Sequence, residues 1–170
     1  MKFTKADIDN CKDEELKQAL GRLYEYKDYC KLHPGNSETL LKTEQAIGSM
    51  PNQLKEWLTI FNGGLLFDID MFSVKDEYSE LSYPLTFEDI NSQEFKTEND
   101  IDPSVVCFAM TNYGDYYCYL KDQSDECIYQ WDAEECDVVI KWSSFSELLN
   151  EIIDFSITLI EEELLSPIKK

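Results

Sequence analysis

SMPNQLKEWLTIFNGGLLFDIDMFSV, residues 49–74, is the stretch on which the fold turns. Pro51 suits the first turn of a helix, where its missing N–H costs nothing. Leu54, Trp57, Leu58 and Phe61 follow at i, i+3, i+4 and i+7 and form one apolar face of a short helix. Asn62-Gly63-Gly64 predicts the end of that helix, because glycine takes the left-handed conformation that closes the last carbonyls at no steric cost. The apolar period then shortens to that of a strand. Phe67, Ile69 and Met71 alternate with Asp68, Asp70 and Phe72, the pattern of a half-buried strand. The stretch therefore reads as a short helix, a glycine corner and the first strand of a sheet.

Upstream, residues 12–32 carry Leu16, Ala19, Leu20, Leu23, Lys27 and Cys30 on or near one helical face, and His33-Pro34-Gly35-Asn36 ends that helix. Ser37 is placed to cap a second helix that continues to Gly48. Downstream, residues 75–104 are irregular, with Pro84 and Pro103. Thr86 starts a short helix there, with Asp89 three residues on as in a capping box. Val105–Met110, Tyr116–Leu120, Cys127–Asp132 and Val138–Trp142 read as strands joined by short turns, which predicts an antiparallel meander. Ser144-x-x-Glu147 opens a final helix with Phe145, Leu148, Leu149, Ile152, Phe155, Leu159 and Ile160 as its apolar stripe and Pro167 at its end. The expected architecture is α+β: an antiparallel sheet of about five to six strands, N-terminal helices, and a long C-terminal helix packed on the sheet.

This order of pieces resembles the SUKH superfamily, which takes in bacterial immunity proteins of polymorphic toxin systems and fungal regulators of cell-wall glucan synthesis. Pro51, Trp57, Asn62, Gly63 and Gly64 carry the central motif, and Glu44 to Gly48 resembles the lead-in before the proline. Phe108-Ala109, then Gly114-Asp115 and Tyr116 to Leu120, is similar to the family's strand, Gly-Asp turn and strand. Ile128 to Asp132 resembles the next strand, and Ser144-Phe145 with Leu148-Leu149 the closing helix. At 170 residues the chain reads as a single domain over 1–170, in which the resemblance covers a SUKH-like core at 43–165 and leaves residues 1–42 as an N-terminal helical extension. The resemblance brings no shared catalytic residues. It implies a non-catalytic binding protein: an immunity protein that neutralises a toxin by direct contact or, alternatively, a regulator or scaffold of the cell-wall synthesis type.

Composition narrows the partners. The formal net charge is −20, and it is uneven: residues 1–50 hold 9 acids and 8 bases, whereas residues 51–170 hold 26 acids and 7 bases. Such a field repels nucleic acid and anionic lipid and attracts basic partners, among them toxin domains that act on nucleic acid. With 43% hydrophobic residues the chain has the means to fold. It has no apolar run of membrane-spanning length, and MKFTKADIDNCKDEE lacks the apolar region of a signal peptide, so a cytoplasmic location is expected. Cys11, Cys30, Cys107, Cys118, Cys127 and Cys136 show no C-x-x-C pair, which predicts reduced, mostly structural thiols, even with Cys118 and Cys127 on adjacent strands.

Catalytic chemistry finds little purchase. His33 is the only histidine, and nothing near it reads as a nucleophile. Asp68 and Asp70, two apart on a strand, would share a face. They could start a divalent-metal site or be the exposed half of an edge strand, but a hard cation needs more oxygens than a pair supplies, so no metal site is expected. Gly63-Gly64 precedes a strand rather than a helix N-terminus, so it is not a phosphate cradle, and no cofactor is expected. From Asp68 to Asp102 there are 11 acids against Lys75 and Lys96, a solvated loop or a partner-facing wall. By alternation Tyr116 joins Cys118 and Leu120 in the core, leaving Tyr117 and Tyr119 exposed beside Asp115. The expected partner-binding residues are Asp68, Asp70, Glu88, Asp89, Asp115, Tyr117 and Tyr119.

Overall fold

The computed structural model describes residues 3–35, 37–74 and 86–165. Among the described residues, seven strands form one antiparallel sheet in chain order: β1 (Cys30–Pro34), β2 (Phe61–Leu66), β3 (Ile69–Met71), β4 (Val105–Met110), β5 (Tyr116–Leu120), β6 (Ile128–Asp132) and β7 (Asp137–Trp142). The helices are α1 (Lys5–Asp9), α2 (Glu14–Glu25), α3 (Ser37–Ile47), α4 (Asn52–Ile60), α5 (Phe87–Ile90), α6 (Gln93–Glu98) and α7 (Phe145–Leu165). The fold is α+β as expected, with a wider sheet.

The first added strand comes from the expected N-terminal helix. Asp13 caps α2 by accepting the Leu16 N–H at 2.9 Å, and the Glu56 carboxylate on α4 receives the N–H groups of Lys12 and Asp13. Leu16, Ala19, Leu20 and Leu23 are buried, each leucine contributing about 1.5–3 kcal/mol relative to exposure. The helix stops at Glu25. A 3₁₀ turn over Lys27–Tyr29 leads into β1, where Cys30, Lys31 and Leu32 pair with Leu66, Leu65 and Gly64. Pairing with β2 satisfies a row of backbone groups that helical continuation would leave open on that strand, so the apolar spacing of Cys30 misleads.

The deciding stretch is only half as read. Pro51 is the N-cap of α4, and Leu54, Trp57, Leu58 and Phe61 are buried as expected. Asn62-Gly63-Gly64, however, is not a corner. Phe61 is already extended, and both glycines lie inside β2, between β1 and β3. Gly63 has φ 75° and Gly64 φ 112°, and the β1–β2 register shifts between Leu32 and Pro34. A Cβ on Gly64 would collide with the carbonyl oxygen of Lys31, and one on Gly63 would stand 2.9 Å from that of Met71. The glycines let three strands pass close together. Asn62 Oδ1 accepts the buried Val74 N–H at 2.7 Å, tying β2 to the chain beyond β3. The expected strand over 67–72 is in fact a hairpin: Phe67 (φ 54°) and Asp68 form the turn, and β3 begins at Ile69.

The other strands fall within a residue or so of expectation. Thr86 and Asp89 form a reciprocal capping box on α5. Lys75, the acids of 75–85 and Pro84 lie outside the described residues, as do Asn36 and Pro167. At α7, Ser144 Oγ accepts the Glu147 N–H at 3.2 Å, while the Glu147 carboxylate receives the N–H and hydroxyl of Ser143, one residue earlier than the motif implies. Phe145, Leu148, Leu149, Ile152 and Ile153 are buried. Ser156, not Phe155, continues the buried stripe, and Phe155 and Leu159 face solvent. Phe145 meets Trp57 of α4 and Phe108 of β4 edge-on, with centroids 5.4 and 5.8 Å away, and α2 packs along the same helix. All six cysteines are free. Cys107, rather than Cys127, pairs in register with Cys118, and burial raises the Cys107 thiol to about 12.

Candidate partner-binding site

An antiparallel meander sends every second turn to the same end of the sheet. Phe67–Asp68, Thr111–Asp115 and Ala133–Cys136 are the turns β2–β3, β4–β5 and β6–β7, and they are laced together. Asn112 Nδ2 donates to Asp68 Oδ2 at 2.8 Å. Asp115 Oδ1 accepts the Ala133 N–H at 3.1 Å, and its Oδ2 accepts from Gln130 Nε2 at 2.7 Å. Asp132 Oδ1 accepts the N–H groups of Glu134 and Glu135. These turns hold Asp68, Asp115, Glu134 and Glu135 and contain no lysine or arginine. They form an acidic end.

α7 starts at the opposite end and runs back toward these turns. Between it and the sheet lies a groove of about 280 Å³. Tyr117, Trp142, Leu148 and Ile152 give it apolar walls, with Tyr117 and Trp142 in edge contact at 5.7 Å. Ile140, Phe155 and Tyr113 stand at its rim, Phe155 63% and Tyr113 71% exposed. Among the described residues its charged lining consists of Asp68 and Glu151, with no lysine, arginine or histidine. Glu151 Oε2 accepts the Trp142 indole N–H at 2.7 Å, which fixes the indole against α7. The Tyr117 phenol is pushed well up, first by burial and then by Tyr113, Glu151, Asp68 and Asp115, so it stays neutral and these groups surround it. Lys141, on the opposite face of β7 from Ile140 and Trp142, lies over the Tyr129 ring at 5.4 Å.

Of the residues expected to bind a partner, Asp68, Asp115 and Tyr117 come together here, Asp115 by organising the turns. Tyr117 is buried, and Tyr119 is 0% exposed with its hydroxyl unpartnered, so the expected exposed tyrosine pair is not found. α7 and its neighbours cover the face that alternation assigned to solvent. Asp68 and Asp70 do not share a strand face: Asp68 is in the turn, and Asp70 pairs across to Leu65 and Met110, its carboxyl raised by burial. Among the described residues, no group of three or more His, Cys, Asp or Glu is placed to hold a metal ion. Glu88 and Asp89 lie on α5, where Asp89 serves the cap. Sequence reasoning missed Ile140, Trp142, Glu151 and Phe155 as site residues. A ring at the edge of the α7 stripe was the available signal, and it reads as core.

Residues 34–151 match the SMI1/KNR4 family (SUKH-1). This is well over half of the chain, and the chain belongs to that family. The match runs from the end of β1 into α7 and takes in the glycine strand, the three acidic turns and most of the groove. No curated protein matches the chain. Among the described residues, no helix is long and apolar enough to cross a membrane.

Proposed function

We propose that this SUKH-1 chain is a non-catalytic immunity protein that neutralises a basic toxin domain, such as a nuclease, by direct binding. The observation that carries this reading is the acidic end: carboxylates from three turns, with no lysine or arginine in those turns, around an apolar groove. A patch of one sign speeds encounter with a partner of the other, and desolvated aromatic and aliphatic contacts then slow release. Asp68, Glu134 and Glu135 steer, Asp115 holds the turns in place, and the groove grips. The same charge disfavours nucleic acid and anionic lipid as partners. Six free thiols fit a reducing compartment, and we place the protein in the cytoplasm.

The test is capture. The protein is immobilised, lysate of the source cell is passed over it at low and at moderate salt, and the retained proteins are identified. A basic protein held at both salts and toxic when expressed alone is the expected result. Retention of many basic proteins at low salt only would mean that the net charge acts as an ion exchanger, and the proposal fails. Retention of a non-toxic cell-wall synthesis component would favour the family's regulatory type.

A further inference from the structure

We infer that the groove under α7 receives one bulky apolar side chain of the partner, flanked in that partner by lysine or arginine. This rests on the binding reading above and adds the chemistry of its anchor. At about 280 Å³ the groove falls just below the roughly 300–1,000 Å³ of small-molecule sites and suits a single large side chain. Tyr117, Trp142, Leu148 and Ile152 line it, an aromatic and aliphatic lining that rewards burial of a ring or branched aliphatic group. The rim places exposed Phe155, Ile140 and Tyr113 around the mouth, an arrangement that excludes water from an inserted side chain.

Charge decides the occupant. Asp68 and Glu151 line the groove, and both carboxylates are held in position, by Asn112 and Trp142 respectively. The acidic turns lie beside it, and among the described residues no lysine, arginine or histidine lines the groove to answer them. An apolar side chain arriving on an acidic segment meets repulsion at the mouth, whereas one between cations meets complementary charge. A second copy of the chain is a poor occupant, since it brings another −20. The neighbouring edge of β7 also carries a bulge at Val139, where the β6 register steps from Ile140 to Val138, a device that discourages edge-to-edge pairing.

Three pentapeptides serve as probes: Lys-Lys-Trp-Lys-Lys, Lys-Lys-Ala-Lys-Lys and Glu-Glu-Trp-Glu-Glu. Each is titrated into the full chain while the Trp142 indole N–H and the Leu148, Ile140 and Ile152 methyls are followed by NMR. The first peptide is expected to shift these resonances together and saturably. The alanine peptide is expected to shift only residues near the acidic turns, and the acidic peptide neither set. Phe155→Lys, and separately Ile140→Lys, both at exposed positions that leave the fold intact, should weaken the first peptide about tenfold. Equal shifts with the alanine peptide, unchanged affinity in both variants, no saturable shift with the first peptide, or Trp142 shifts that depend on protein concentration alone would each overturn the inference. The two proposals fail separately. A captured toxin bound equally by wild type and Phe155→Lys removes the anchor and leaves the immunity reading. Groove binding of the tryptophan peptide with no toxic partner in lysate does the reverse.

Discussion

The β2–β3 hairpin contains two regions that answer to different physics. In the middle of β2, Gly63 and Gly64 hold positive φ where β1 and β3 press close, and almost no other residue fits. At the turn a few residues on, Asp68 is exposed, bonded to one neighbour, and replaceable without disturbing a strand. The first region is set by backbone geometry and the second by charge. Geometry demands one residue at one position, whereas a field is summed over many carboxylates. The glycine crossing therefore governs whether the chain folds, and in the proposed reading the acidic end governs what the folded chain meets.

The sharpest way to break this contrast is Gly64→Ala. Positive φ and the collision with the Lys31 carbonyl should together remove more than about 4 kcal/mol, and with it the cooperative urea transition followed by circular dichroism. Gly114→Ala is the control. Gly114 also has positive φ, at 102°, but its Cβ would meet open space, so the loss should stay near 1 kcal/mol. A Gly64→Ala protein as stable as the Gly114→Ala protein would show that β2 has room to spare.

Next in size is Asn62→Leu, which strands the buried Val74 N–H and should cost about 2–3 kcal/mol in the same assay. On the other side of the comparison, Asp68→Lys with Glu134→Lys and Glu135→Lys should shift stability by no more than about 1 kcal/mol, because these side chains are exposed. The association rate for a basic partner at low salt should nevertheless fall at least about tenfold, and the salt dependence should flatten. Smallest is Asp70→Asn. Burial raises the Asp70 carboxyl above its ordinary value, so the charged form is the costly one in the fold. Its contribution is best below the ordinary carboxylate range and worsens as pH rises through the raised folded value. The asparagine variant should melt higher than wild type at pH 7, and the gap should close in acid.

The same contrast governs what could be read from residue order alone. Strands β4 to β7 and the start of α7 were legible because alternation, turn residues and a serine cap are local signals. Asn62-Gly63-Gly64 stood out as a place where the backbone does something special. Its role is not a local property: a glycine pair also ends helices, and only the approach of β1 and β3 makes the pair necessary here. β1 hid behind Cys30, whose spacing suited a helix until β2 supplied a pairing partner. The burial of Tyr117 and Tyr119 was not legible, because alternation separates two faces without saying that α7 covers one of them. The acidic end was legible only as net charge. Its assembly depends on which turns the meander brings together, and Asp68, Asp115 and Glu135 are far apart in the chain. Phe155 looked like core because the stripe of α7 turns toward Ser156 at that point.

The most direct measurement is a hydrogen-exchange footprint of the captured partner on the intact chain. Protection confined to the turns at 67–68, 111–115 and 133–136 and to α7 around 151–156 is the predicted result. Protection centred on α2 and β1, with those turns exchanging as in the free protein, would contradict it and move the interface to the nearly neutral N-terminal side of the molecule.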